Sequence, residues 1–201
     1  LALTDTASGT KKALPKKNLY RMYVCGITPY DATHLGHAAT YLTFDLINRY
    51  LRATGAHVSY VQNITDIDDP LLERAQRDGV DWNDLAHQQI DLFRSDMTHL
   101  RVIPPAHYIG AVEAIPLVIK AIADLREQSS IYPVDDDFYF SNRKDEKFGN
   151  RSHLSEDKML KIFSERGGDP GRAGKIDPLD CLVWMSQRKN EPGWDSELGK
   201  G

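Results

Sequence analysis

Cysteine is nearly absent from this chain: Cys25 and Cys181 are the only two in 201 residues. Two isolated thiols cannot form the disulfide framework of a small secreted domain, so a packed core must supply stability. A reducing cytoplasm is the simplest compartment for such a sequence. Long apolar runs are missing too. Nothing approaches the roughly 20 consecutive apolar residues of a membrane-spanning helix, and no basic segment leads into an apolar one as in a secretory signal. Positive charge is in deficit, with 25 Lys and Arg against 29 Asp and Glu and a net charge of −4. That speaks against an extended nucleic-acid surface, because phosphate binding calls for clustered Lys and Arg. There is no internal repeat and no low-complexity tract. What remains, 41% hydrophobic residues in a chain of this length, suffices for one globular domain or a domain with an insertion.

The stretch from Met22 to Thr40 organises the rest. Met22, Tyr23 and Val24 favour a strand, and Gly26 and Pro29 interrupt it. Leu35, Ala38, Tyr41, Leu42, Asp45, Leu46 and Arg49 then recur at helical spacing, apolar members to one side. His34 and His37 lie three apart where this helix begins, on one face. A helix start offers unpaired N–H groups and partial positive charge to an anion, and Gly36 admits a ligand close to the backbone. Together these features predict a phosphate site. Gly55 suits the position just past the helix end, and His57–Gln62 reads as a second strand. Strand, helix, strand is one βαβ unit in a parallel α/β sheet, whose ligands bind beyond the carboxyl ends of the strands, at Cys25 and Asn63.

Elsewhere the pattern is coarser. Leu1–Lys17 reads as a lead-in strand or hairpin and a loop with solvated lysines. Asp66, Asp68 and Asp69 read as a solvated turn and helix start rather than a metal site. A short helix is expected over Pro70–Arg77, one capped by Asn83 over Asp84–Leu100, and one over Gly110–Gln128. A hairpin is expected within Ile131–Phe140, a mobile loop over Ser141–Asp157, a short helix over Met159–Phe163 and a buried strand at Cys181–Trp184. Thr98–Lys175 reads as a mostly helical insertion.

His34-Leu-Gly-His37, with Tyr23-Val-Cys-Gly before it and Tyr60-Val-Gln-Asn-Ile-Thr-Asp-Ile-Asp-Asp69 after the helix, resembles class I aminoacyl-tRNA synthetases, the cysteinyl group in particular. Gly26-Ile-Thr-Pro29, Ala38-Ala-Thr40 and Glu165-Arg-Gly-Gly-Asp-Pro170 shift the resemblance to a sister family, the ATP-dependent ligases that join cysteine to glucosaminyl-inositol in mycothiol biosynthesis. The resemblance runs from about Met22 to Gly201 and implies a Rossmann-like (HUP) nucleotide-binding domain. It implies that L-cysteine attacks the α-phosphate of ATP, with magnesium, to give cysteinyl-adenylate, and that His34 and His37 stabilise charge during that step. Cys25, Gly26, Ile27, Thr28, Thr40, Asn63, Ile64 and Thr65 would line the adenylate pocket, Ile27 and Ile64 through backbone and shape. By residue type alone, Cys25 would be a small buried hydrophobe; the resemblance makes it a zinc ligand that helps select the substrate thiol. Glu165, Arg166, Gly167, Gly168, Asp169 and Pro170 would cover the site or touch the acceptor, with Arg166 facing an anionic group.

The resemblance also says what to expect beyond these residues. The family's other zinc ligands follow a segment that comes after Trp194–Gly201, and a Lys-Met-Ser-Lys-Ser-type loop is absent here. The chain therefore reads as the N-terminal part of a larger catalytic domain, a monomer, inactive by itself. His57, His87, His99, His107 and His153 match no motif. The partners implied are ATP, L-cysteine and glucosaminyl-inositol, with no membrane. A tRNA would be a partner only if the chain were a cysteinyl-tRNA synthetase, and a catalytically incompetent nucleotide-binding module is the other alternative.

Overall fold

The structure is a computed structural model that describes all 201 residues. In chain order, a hairpin of β1 (Ala2–Asp5) and β2 (Thr10–Ala13) precedes β3 (Leu19–Val24), α1 (Leu35–Ala53), β4 (His57–Ile64), α2 (Asp69–Asp78), α3 (Trp82–His99), β5 (His107–Gly110) and α4 (Ala111–Glu127). There follow β6 (Ile131–Val134), β7 (Asp137–Phe140), α5 (Glu156–Glu165), β8 (Cys181–Trp184) and a short pair, β9 (Asp195–Ser196) and β10 (Gly199–Lys200). The contacts divide the chain into two compact units. One is Lys16–Ile115; the other joins Leu1–Pro15 to Pro116–Gly201.

The Lys16–Ile115 unit is built on a three-stranded parallel sheet in the order β3-β4-β5. Leu19 pairs with His57 and Val24 with Gln62, and on the other side Val61 pairs with His107 and Ile64 with Gly110. The expected βαβ unit is present. Sequence reading missed β5, whose four residues fall inside the stretch assigned to an insertion; so short a strand gives too little alternation to register. The contact boundary lies at Ile115/Pro116 rather than near Thr98.

The core of this unit gathers Val24, Ile27, Tyr41, Tyr60, Phe93 and Met97. Helix α1 turns Tyr41, Asp45, Asn48 and Leu51 inward, a spacing that follows the helical repeat. Leu35 and Leu46, placed on the same stripe from sequence, are 88% and 67% exposed. The buried Asp45 accepts from the Arg49 guanidinium at 2.6 Å and from the Ile103 N–H at 2.9 Å, while Arg49 also donates to the Arg101 carbonyl at 2.5 Å. One carboxylate thereby fixes the chain between α3 and β5. Past the end of α1, Gly55 takes the left-handed conformation (φ 86°) and its N–H returns to the Arg52 carbonyl.

The cap of α3 differs from expectation. Asp81, two residues before Asn83, accepts from the N–H groups of Asn83 and Asp84 at 2.8 and 3.0 Å. A carboxylate takes this role readily because it also complements the helix dipole. Asp68 caps α2, and Asp66 accepts from the Val112 N–H at 2.9 Å, at the start of α4. The acidic triplet thus serves helix starts.

The second unit carries an antiparallel sheet, β6-β7-β8. Strand β8 was expected to be buried, yet Leu182 is 40% exposed and Trp184 is its one buried residue. It is an edge strand, paired with β7 alone. The segment after β7, expected as a loop, begins with a short turn. Asn142 opens a 3-10 turn and its N–H donates to Asp180 at 2.8 Å; Asp180 is fully buried and also accepts from the Tyr132 hydroxyl at 2.6 Å.

Candidate functional site

At the carboxyl end of the parallel sheet, the loop after β3 is tied to the end of β4. Asn63 accepts through Oδ1 from the Gly26 N–H and from the Tyr23 hydroxyl, both at 2.9 Å. The Thr65 N–H donates to the Ile27 carbonyl at 2.9 Å, and the Tyr41 hydroxyl of α1 donates to the Cys25 carbonyl at 3.2 Å. The fit is close: a Cβ on Gly26 would fall 1.5 Å from the Asn63 carbonyl oxygen, which only glycine avoids. Ile27 and Ile64 are buried beneath, in keeping with a shape-giving role, and Thr28 contributes its carbonyl to the Tyr30 N–H. Arg74 of α2 holds the next residues, donating to the Tyr30 carbonyl at 2.8 Å and to Asp31 at 3.1 Å. The Ala32 N–H and Arg74 keep the Asp31 carboxyl below the usual carboxylate range.

The two histidines form a reciprocal cap on α1. His34 Nδ1 accepts from the Gly36 N–H at 3.0 Å, and His37 Nδ1 accepts from the His34 N–H at 3.3 Å. The rings stack with centroids 4.0 Å apart. Because each Nδ1 accepts, each neutral ring carries its proton on Nε2, and both Nε2–H groups are left to donate outward. Burial, and then the neighbouring His34, hold His37 below the ordinary histidine pKa, so it stays neutral at pH 7. The N–H groups of Gly36, His37 and Ala38 are already satisfied by His34. The donors that sequence reading assigned to the helix backbone are thus mostly occupied, and imidazole N–H groups stand in their place. Gly36 has a reason other than ligand approach, since a Cβ there would lie 2.8 Å from His34 Cε1. Thr40, one turn on, donates to the Gly36 carbonyl at 3.1 Å.

The sequence-derived residues Cys25, Gly26, Ile27, Asn63, Ile64 and Thr65 are therefore brought together at two strand ends, with His34, His37 and Thr40 on the helix that follows. Tyr23, Tyr41 and Arg74 were not anticipated; their roles depend on partners distant in sequence, so no local signal marks them. The thiol of Cys25 is free and exposed. No group of three or more His, Cys, Asp or Glu side chains is placed to hold a metal ion, so Cys25 by itself does not complete a zinc site.

The Glu165–Pro170 segment lies in the other unit. Glu165, Arg166 and Gly167 are exposed. Gly168 packs so closely on Phe163 that a Cβ would meet its ring at 2.5 Å. Asp169 is committed internally, accepting from the Tyr139 hydroxyl and from Lys175 Nζ at 3.0 Å. Arg172 ties the same cluster to Asp137 at 2.5 Å.

Comparison with known proteins agrees with this architecture. The curated L-cysteine:1D-myo-inositol 2-amino-2-deoxy-alpha-D-glucopyranoside ligases of Kribbella flavida and Thermomonospora curvata are 59% and 58% identical over 100% of this chain. The chain covers 50% and 49% of those proteins, about half their length. Among solved structures, Mycobacterium tuberculosis methionyl-tRNA synthetase in complex with methionyl-adenylate superposes with a TM-score of 0.51 at 18% identity, covering 76% of this chain and 36% of that one. The leucyl-tRNA synthetase of an Agrobacterium radiobacter K84 ternary complex does so with a TM-score of 0.55 at 16% identity, covering 76% and 23%. These likenesses show the class I synthetase fold. The sequence model described as "tRNA synthetases class I (C) catalytic domain" matches residues 12–201, and the chain belongs to that family.

Proposed function

We propose that this chain carries the amino-acid-activating site of an ATP-dependent ligase. L-cysteine is converted to cysteinyl-adenylate with release of pyrophosphate. The amine of glucosaminyl-inositol then attacks the acyl carbon, forming the amide and releasing AMP. The observation that carries this reading is the 59% identity, across the whole chain, to a protein named as that ligase. The geometry supports the first half-reaction. Two Nε2–H donors fixed at one helix entrance suit the phosphate oxygens on which charge builds as the carboxylate attacks. The interlocked strand ends hold Cys25, Gly26 and Asn63 at the crevice where parallel sheets bind ligands. Zinc is part of the proposal only as an ion to which Cys25 would be one ligand, with the others coming from residues outside this group; a soft thiolate suits it. The exposed Arg166 is proposed to meet the acceptor, and a compartment that keeps thiols reduced suits the reaction.

The deciding experiment is cysteine-dependent AMP release by the full-length protein with either glucosaminyl-inositol or tRNA as acceptor. Release with the aminosugar and formation of the amide are expected. Aminoacylation of tRNA alone would make the protein a cysteinyl-tRNA synthetase. In an ATP–pyrophosphate exchange assay of the same protein, His34→Ala and His37→Ala are each expected to lower kcat by about 10²-fold or more, the usual effect of losing one preorganised donor. Exchange within threefold of wild type would remove the histidines from the mechanism.

A further inference from the structure

The loop from β3 to α1 is tied down almost residue by residue, with one exception. Cys25, Gly26 and Ile27 are bonded to Tyr41, Asn63 and Thr65, and Pro29 is fully buried. Tyr30, Asp31 and Ala32, which follow, are exposed. The N–H groups of Tyr30 and Ala32 bond only locally, to the Thr28 carbonyl and the Asp31 carboxylate. From this stretch the one hydrogen-bonded link to another element is the Arg74 guanidinium. Its Nη1 donates to the Tyr30 carbonyl at 2.8 Å and to Asp31 at 3.1 Å. His34, which caps α1, comes three residues after Asp31.

Arg74 is itself held from behind. Its Nε donates to Asp78, one turn on, at 2.6 Å, and Arg77 donates to the other oxygen of Asp78 at 2.8 Å. The helix that carries it is seated by Leu71 and Ala75, both buried against Leu85 and Ala86 of α3. The guanidinium thus reaches the loop from a fixed base. Stability is not its main contribution, since Asp31 is 67% exposed and an ion pair in that setting is worth little. Its contribution is direction. A planar cation that bonds a backbone carbonyl and the adjoining carboxylate fixes how the chain enters α1, and with it the two imidazoles stacked on the first turn. We infer that Arg74 is a positioning residue, which through Tyr30 and Asp31 sets the aim of His34 and His37. It bears on catalysis only under the activation chemistry proposed above; its hold on the histidine pair stands apart from that chemistry.

The test uses the full-length protein and combines kinetics with NMR. Arg74→Gln should lower kcat for ATP–pyrophosphate exchange about tenfold and leave KM for cysteine within about twofold, because a small misplacement of a reacting group costs rate steeply. Arg74→Lys keeps the charge without the fork, and should bring kcat back to within about threefold of wild type. Combined with His37→Ala, Arg74→Gln should lose at least about threefold less than the product of the two separate losses, as expected of residues that act as a unit. In Arg74→Gln the His34 and His37 imidazole resonances should move. Those of His57 and His107, which begin β4 and β5 at the opposite end of the sheet, should not. Unmoved His34 and His37 resonances overturn the inference, as do losses that multiply in full or a defect confined to KM. A lowered melting temperature with every histidine resonance displaced overturns it too, since Arg74 would then serve the fold at large. If the wild-type protein gives no cysteine-dependent exchange, the activation reaction falls instead, and the imidazole resonances alone decide the role of Arg74.

Discussion

His37 has its Nδ1 occupied by the His34 N–H and its ring pressed against His34, so its proton load matters to both folding and function. Its pKa is held down chiefly by burial. As pH falls through about 6.5, the unfolded chain therefore takes up the proton first. The stability this group contributes is present above that value and is lost as pH drops through the folded-state pKa. A urea titration should show a lower midpoint at pH 5.5 than at pH 7.5, and His37→Gln should flatten part of the difference. At Asn63, one amide oxygen serves both Gly26 and Tyr23. Asn63→Ala is expected to cost about 1–3 kcal/mol by leaving the Gly26 N–H without its acceptor, with Tyr23→Phe costing less because the Tyr23 hydroxyl is open to water. Chemical denaturation of both variants checks the order.

Helix starts carry much of what this chain specifies at the scale of its elements. Three of them are served by the side chains of His34, Asp68 and Asp81. Asp81→Ala should destabilise α3 by about 1 kcal/mol, whereas Asn83→Ala, at the position that sequence reading took for the cap, should be near neutral; thermal unfolding separates them. Gly36→Ala sets two effects against each other. Alanine is favoured over glycine in a helix by up to about 1 kcal/mol, but its Cβ would displace the His34 ring. The expected result is a small change in stability with at least a tenfold loss of ATP–pyrophosphate exchange, read against the shifted imidazole resonances. In the other unit, Asp169→Asn should lower the melting temperature because it weakens the Tyr139 and Lys175 bonds, while the exposed Arg166→Gln should leave melting unchanged and raise KM for the acceptor.

Across the whole molecule, two compact units share one chain that spans about half the length of the curated relatives it matches. No helix is long and apolar enough to cross a membrane. Under the proposed reading, in which Cys25 shares its metal with residues outside this chain, the 201 residues by themselves are expected to give no cysteine-dependent ATP–pyrophosphate exchange. Exchange comparable to that of the full-length protein would refute this.

Local signals sufficed for the βαβ unit. The helical spacing from Leu35 onward, the glycine after it and the apolar strand residues are properties of neighbours in sequence, and the histidine pair is legible for the same reason, three residues apart on one turn. The crevice as a set of interlocked groups is a different matter. Asn63 meeting Gly26, Tyr41 meeting Cys25, Asp45 holding Ile103 and the unpaired Gln62 Nε2 all join residues separated by tens of positions, or depend on what fails to reach them. Even the cap of α3 was decided by which of two nearby polar residues points at the first turn. The sequence alone determined most of the elements and where the histidine-capped turn begins, since hydrogen bonding within a helix or turn is local. Only the tertiary structure decided which side chains share partners, because burial and pairing across the sheet are set when distant segments pack.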